Sequence, residues 1–329
     1  MSVIRTISGD IPPEYLGCCY SHEHLITDAS YATQVFPDQC LNSVENAVKE
    51  LMEIRDLGCS SVVEATPCGT GRNIRKLLEI SKRSGIRVIA TTGLQHDRYY
   101  PPGHWSRVYE PDVLADLFAA EIEEGIDEYD YGGPHVKRSS ARAGIMKVAS
   151  SFGRLTSRER ELFRVAAKVH HRTGCPVMTH TEQGTAADEQ LYLFREEGVD
   201  PGRIMMCHLD KKPDPAYHRE LLRQGVTLEY DSAFRWKTGD ENPTLELLKE
   251  LLPEFPDQLV VGMDAGRPAY WKHYGGSPGL GYLLVGLKKK LEDALLDAFL
   301  LEGLFVRNPS RLLTFTNPKA GGTGRDKRK

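Results

Sequence analysis

Apolar residues fall along this chain in short, near-continuous runs separated by segments of helical period. Eight runs read as strands: 17–25, 61–66, 87–93, 144–149, 175–181, 204–209, 227–232 and 258–265. Stretches such as Val62-Val63-Glu64-Ala65-Thr66 and Leu259-Val260-Val261-Gly262-Met263 lack the in-and-out alternation of a half-exposed sheet. They suit parallel strands covered on both faces. Between them Val44, Ala47, Val48, Leu51 and Met52 share one helical face, with Asn42 as the expected N-cap and Gly58 as the stop. Thr156-x-x-Glu159 predicts a capping box ahead of Leu162, Phe163, Ala166 and Val169. Gly85, Gly174 and Gly225 each end a helical pattern just before a strand.

Alternating strands and helices imply a parallel sheet, and eight strands favour closure. The predicted fold is a (β/α)8 TIM barrel, a closed parallel sheet forming a single domain over residues 1–318. Residues 319–329, Gly-rich and basic, read as a disordered tail. Composition adds little: 40% hydrophobic and 27% charged residues are ordinary for a globular protein, and a net charge of -4 gives no reason to expect nucleic acid or an anionic membrane. No apolar run approaches the roughly 18 residues of a membrane span. The N-terminal segment has no basic stretch followed by an apolar one, so no secretory signal is read there. Seven cysteines without CxxC spacing point to reduced thiols and a cytoplasmic setting.

Polar residues gather where such a barrel would place chemistry, at the C-terminal ends of its strands. His22 and His24 end the first run, Lys147 lies in the fourth, and His180, His208 and Asp264 end the fifth, sixth and eighth. Residues two apart on a strand share a face, so His22 and His24 can grip one ion. Alone, His-x-His is a weak signal that is more often incidental, and His180 or His208 reads more readily as a hydrogen-bonded interior residue. Their coincidence at one end of the barrel favours a metal site. Lys147, set among Ile145, Met146 and Val148, is costly to bury as a cation. It is either a lysine whose ammonium reaches water or one that reacts with carbon dioxide to become a carbamate.

His22-Glu23-His24-Leu25, Lys147, His180-Thr181-Glu182-x-Gly184, Cys207-His208-Leu209-Asp210 and Gly262-Met263-Asp264, in that order, resemble the phosphotriesterase family of the amidohydrolase superfamily. The likeness runs from Gly9-Asp10-Ile11-Pro12-Pro13-Glu14 to Asn308-Pro309-Ser310-Arg311-Leu312-Leu313. It implies two divalent metal ions, commonly zinc, with manganese or cobalt as alternatives. His22, His24 and Asp264 would hold one ion, and His180 and His208 the other. Carbamylated Lys147 and a hydroxide would bridge them, with Asp264 as the catalytic proton acceptor. Glu182 and Asp210 are read as groups that orient the histidines two residues before them.

Acyl-homoserine lactonases of that family carry Gly-x-Tyr after the third strand; here Gln95 replaces the tyrosine. Arg267 and Tyr270 after the eighth strand, and Lys237 after the seventh, resemble members that open phosphorylated sugar lactones. These three residues are the expected phosphate ligands. The expected function is therefore a dinuclear metal-dependent hydrolase that opens a phosphorylated sugar lactone by attack of the bridging hydroxide. The alternatives are a phosphotriesterase or amidase of the same family, or a barrel that binds without turnover. A small molecule is the expected partner, with neither nucleic acid nor membrane, and a homodimer is the assembly considered. Gly276-Ser277-Pro278-Gly279-Leu280-Gly281 follows no strand and reads as a mobile loop near the pocket.

Overall fold

The computed structural model describes residues 2–236 and 242–316. The proposed tail, 319–329, lies outside the described residues. A short antiparallel hairpin, Ile4–Thr6 with Gly9–Ile11, precedes eight strands. These are β1 (Cys18–Glu23), β2 (Cys59–Glu64), β3 (Arg87–Gly93), β4 (Ile145–Ser150), β5 (Val177–Thr181), β6 (Ile204–Cys207), β7 (Thr227–Tyr230) and β8 (Leu259–Val261). Each pairs in parallel with its neighbours in sequence. The ring closes irregularly, because the Met263 and Asp264 N–H groups donate to His22 O at 3.2 and 2.9 Å. Glu23 reinforces the closure, accepting from Met263 N–H at 2.8 Å.

Strand periodicity sorts the side chains into two cores. Tyr20, Val62, Val88, Met146, Val177 and Leu228 belong to the layer shared with the helices. Cys19, Val63, Ile89, Ile145, Met178, Met205 and Val260 form a separate interior cluster, joined by Ile4, Leu16, Leu312 and Leu313 from the chain ends. Two residues further along β4, β5 and β7 the interior positions become Lys147, His180 and Glu229. Apolar filling below thus gives way to a charged layer above.

Capping explains where the helices start and stop. Thr156 and Glu159 form the expected capping box on helix Ser157–Thr173, and Gly174 ends it with φ +73°. Gly85 ends Ile74–Ser84 in the same left-handed way, at φ +77°. The N-cap of Val44–Asp56 is Ser43 rather than Asn42, because the Ser43 side chain accepts from Asn46 N–H. On that helix Ala47, Val48 and Leu51 are buried as read from sequence, but Met52 is 38% exposed and Glu50 is buried. Glu50 turns inward to accept from the N–H groups of His273 and Leu280 at 3.0 and 2.9 Å. Segment 276–281 is therefore fastened to this helix, against the expectation of a mobile loop. Among the described residues no helix is long and apolar enough to cross a membrane.

One buried ion pair braces the wall between β2 and β3. Arg72, after β2, grips Glu121 on helix Pro111–Glu123 through two bonds of 2.7 and 2.8 Å, and both side chains are fully buried. Burial pushes the Glu121 carboxyl up, but the Arg72 guanidinium outweighs it and holds the group below its ordinary value. Removing one partner leaves the other charged and unsolvated. Arg72 also meets Asp130 at 3.2 Å, so Arg72→Met should cost about 3–5 kcal/mol in denaturant unfolding, and Arg72→Met with Glu121→Leu should recover only part of that loss, Asp130 remaining unpaired. A double variant no more stable than the single one would show that the pair is not what braces the wall.

Candidate metal centre

The charged layer opens into a cleft lined by His22, His24, Lys147, His180, His208 and Asp264. The ring of His22 lies 5.6 Å from that of His24 and 4.8 Å from that of His208, and His180 lies 4.5 Å from His208. The structure thus gathers all six residues chosen from sequence as ligands. Ligand atoms of His22, His24 and Asp264 lie within 4.8 Å of one another, as do those of His22, His208, Glu229 and Asp231.

Hydrogen bonds decide which ring nitrogens face the cleft. His24 Nδ1 pairs with Thr66 Oγ1 at 2.8 Å, turning Nε2 to within 3.3 Å of Asp264 Oδ1. His208 Nδ1 bonds the Asp231 carboxylate, which leaves its Nε2 for the cleft. His180 Nε2 approaches Glu182 at 3.3 Å, and its buried Nδ1 has no partner. His22 is fully buried with neither nitrogen hydrogen-bonded. Its nearest carboxylate oxygens, on Glu229 and Asp264, stand 3.6 and 3.8 Å away. Unpartnered buried imidazole nitrogens are costly, and imidazole with carboxylate is a donor set for zinc-like divalent ions. The residues present therefore fit a divalent metal.

The backbone is bent to aim these groups. His208 and Asp264 both occupy the left-handed region, at φ +68° and +44°. Such conformations cost energy and persist where surrounding structure imposes them, often at functional sites. Lys147 is fully buried, its Nζ donating to Ala65 O at 2.9 Å. Burial lowers its pKa from the ordinary lysine value, although nearby Asp264, Glu64 and Glu229 oppose the shift.

Burial pushes the Asp264 carboxyl up, but Arg235, the His24 contact and Lys211 hold it well below the usual carboxylate range. Arg235 stands 3.0 Å and Lys211 3.6 Å from Asp264 Oδ2. Burial and the neighbouring Asp231 drive Glu229 the other way, well above its ordinary value.

Asp210 does not orient His208. It accepts from Ser232 N–H at 2.7 Å and Thr244 Oγ1 at 2.5 Å, securing the loop after β7, and Asp231 takes the histidine instead. Glu182 does meet His180, as the sequence suggested. Arg267 and Tyr270 line the cleft, Arg267 being 47% exposed and paired with Asp38 at 3.1 Å. Tyr270 packs edge-on against Phe234 at 4.9 Å. Lys237 lies outside the described residues. The sequence reading missed Lys211, Glu229 and Asp231, and gave Arg235 no role of its own. The i, i+2 spacing of Glu229 and Asp231 was a signal for the pair, since it puts both on the inward face next to His208.

The model of the phosphotriesterase family matches residues 2–313. The chain belongs to the phosphotriesterase family. A phospho-furanose lactonase from Mycoplasmopsis synoviae is 34% identical over 322 residues, covering 94% of this chain and 91% of that one. An amidohydrolase structure from Mycoplasma synoviae superposes with a TM-score of 0.89 at 33% identity, over 96% of this chain and 92% of that one. A lactonase structure from Listeria monocytogenes gives 0.88 at 29% identity, over 96% and 100%. Membership of the phosphotriesterase family, with the histidine and carboxylate cluster, makes this chain a metal-dependent hydrolase.

Asp231 is the natural point to probe the centre, because it sets which nitrogen of His208 is free. Asp231→Asn should weaken metal retention about 10- to 100-fold, read by competition with a chromogenic chelator. Retention equal to wild type would mean that His208 needs no carboxylate to present Nε2.

Proposed function

We propose that the chain opens a phosphorylated sugar lactone with two divalent ions in this cleft. The observation that carries the reading is the meeting, in one cleft, of the histidine and carboxylate cluster with the cations Lys211, Arg235 and Arg267. A cluster built for hydrolysis beside that much positive charge suits an anionic substrate. The names borne by the relatives from Mycoplasmopsis synoviae and Listeria monocytogenes support a lactone.

His22, His24 and Asp264 would hold one ion, and His180 and His208 the other. Lys147, after its amine adds carbon dioxide, would supply a carbamate between them. Zinc is the favoured identity, with manganese or cobalt as alternatives. Such ions, when bound, polarise a carbonyl and make water nucleophilic near neutral pH. The chain's own groups do the rest. Asp264 takes the proton of the attacking water and passes it to the ring oxygen as the carbon–oxygen bond of the lactone breaks, releasing a hydroxy acid. Arg267 grips the phosphate with its planar guanidinium, Tyr270 donates a hydroxyl, and Lys237 adds charge. The seven unpaired cysteines accord with a reducing, cytoplasmic setting.

Metal analysis of protein grown with added zinc or manganese should give close to two equivalents per chain, and Lys147→Met should lose metal and activity together. A persistent single equivalent in saturating supply would sink the two-ion arrangement. Arg267→Met should lower kcat/KM for a phosphorylated γ-lactone by roughly 10- to 100-fold, with a far smaller change for its unphosphorylated counterpart. Absence of any wild-type preference for the phosphorylated lactone would move the anion site elsewhere.

A further inference from the structure

The wall of the cleft opposite Arg267 and Tyr270 carries a second polar group to which the proposed reaction gives no part. It is built from the loop after β3 and the turn after β5. β5 stands half-way round the ring from β1, and Arg267 and Tyr270 follow β8, which closes onto β1. Glu182 heads the turn after β5 and lines the cleft, as does Arg98 from the loop after β3.

Two hydrogen bonds, from Arg98 and His180, converge on one oxygen of Glu182, and His96 stands beside it. Arg98 donates to Oε2 at 2.9 Å, His96 Nε2 lies 3.1 Å from it and His180 Nε2 lies 3.3 Å from it. No hydrogen bond to Oε1 is made among the described residues, so one carboxylate oxygen is fully used and the other is available. The turn is also held rigidly. Gln183, Gly184 and Ala186 are left-handed at φ +55°, +68° and +59°. A Cβ on Gly184 would come within 2.9 Å of Leu209 O, and Thr185 Oγ1 donates back to Glu182 O at 2.7 Å. The carboxylate is therefore fixed before any ligand arrives, which reduces the ordering cost of binding.

A fixed carboxylate oxygen with spare acceptor capacity, in a cleft that takes an anionic ring, repels phosphate and accepts from neutral donors. On a sugar lactone those donors are the ring hydroxyls. We infer that Glu182, fastened by Arg98 and His180, selects for substrate by accepting a hydrogen bond from a ring hydroxyl while the phosphate lies against the opposite wall. This rests on the lactonase reading above and deepens it, because it makes the enzyme a reader of both ends of the substrate. A site built to pair with a hydroxyl rejects the analogue that lacks it, since the polar group is then left unmatched.

The test compares a phosphorylated γ-lactone with its 2,3-dideoxy counterpart in wild type and in Glu182→Gln. Binding of a phosphorylated 1,4-anhydropentitol, which keeps the hydroxyls but has no scissile carbonyl, is measured by calorimetry alongside. Wild type should prefer the hydroxylated lactone, and the ratio of the two kcat/KM values should fall roughly tenfold or more in the variant. Anhydropentitol affinity should fall with it, and metal content should match wild type. Equal losses on both lactones together with lost metal would overturn the inference, leaving Glu182 as a positioning residue for His180 alone. Should Glu182→Gln not fold, Arg98→Met frees the carboxylate and should lower the same ratio; an unchanged ratio there overturns the inference equally. A wild type that opens lactones without regard to the hydroxyls removes this inference and leaves the lactonase reading standing. A wild type that opens no lactone removes both.

Discussion

His22 sits fully buried with neither ring nitrogen hydrogen-bonded, and the upper half of the barrel is organised around that unmet demand. An imidazole withdrawn from water with no partner is unfavourable by itself. Here it is surrounded by His24, His208, Glu229 and Asp264, each too far or wrongly disposed to satisfy it directly. A divalent cation is the partner that meets several such groups at once. The other contacts then follow as consequences. Thr66 and Asp231 take the outer nitrogens of His24 and His208, so that the inner ones stay available.

The same demand explains the departures from regular barrel geometry. Closure between β8 and β1 is made by two N–H groups converging on His22 O instead of a continued ladder. That irregularity frees Asp264 to adopt its left-handed conformation and to swing its carboxylate between the histidines and Arg235. Stability is supplied elsewhere: by the apolar interior below, by the buried Arg72–Glu121 pair and by the Glu50 clamp on the loop that bears Arg267 and Tyr270. A rigid scaffold that places left-handed residues such as His208 and Asp264 at its rim is what a barrel enzyme needs to change substrates through its loops.

Much of this was legible in the order of residues. The eight strands were recognisable because buried parallel strands need unbroken apolar runs, and the ligand residues because polar groups ended those runs. Capping was partly legible. Thr156 was identified because a capping box has its own signature, whereas Ser43 was missed because neighbouring Asn42 is an equally good cap in isolation. The inward turn of Glu50 and the partial exposure of Met52 went unread for a deeper reason. Hydropathy places methionine inward, but two backbone N–H groups from a loop more than 200 residues away needed an acceptor.

The sequence by itself determined the architecture, the family and the six residues that meet in the cleft. Each of these depends on local pattern or on ordered motifs that survive without coordinates. Only the tertiary structure decided the second layer: Asp231 instead of Asp210 behind His208, Arg235 and Lys211 against Asp264, and Glu182 fastened by Arg98. These partners lie on different strands and loops, and their roles rest on distances of a few ångströms between side chains remote in the chain. Periodicity tells which face a residue occupies, but closing the barrel sets which residue of the neighbouring strand it meets there.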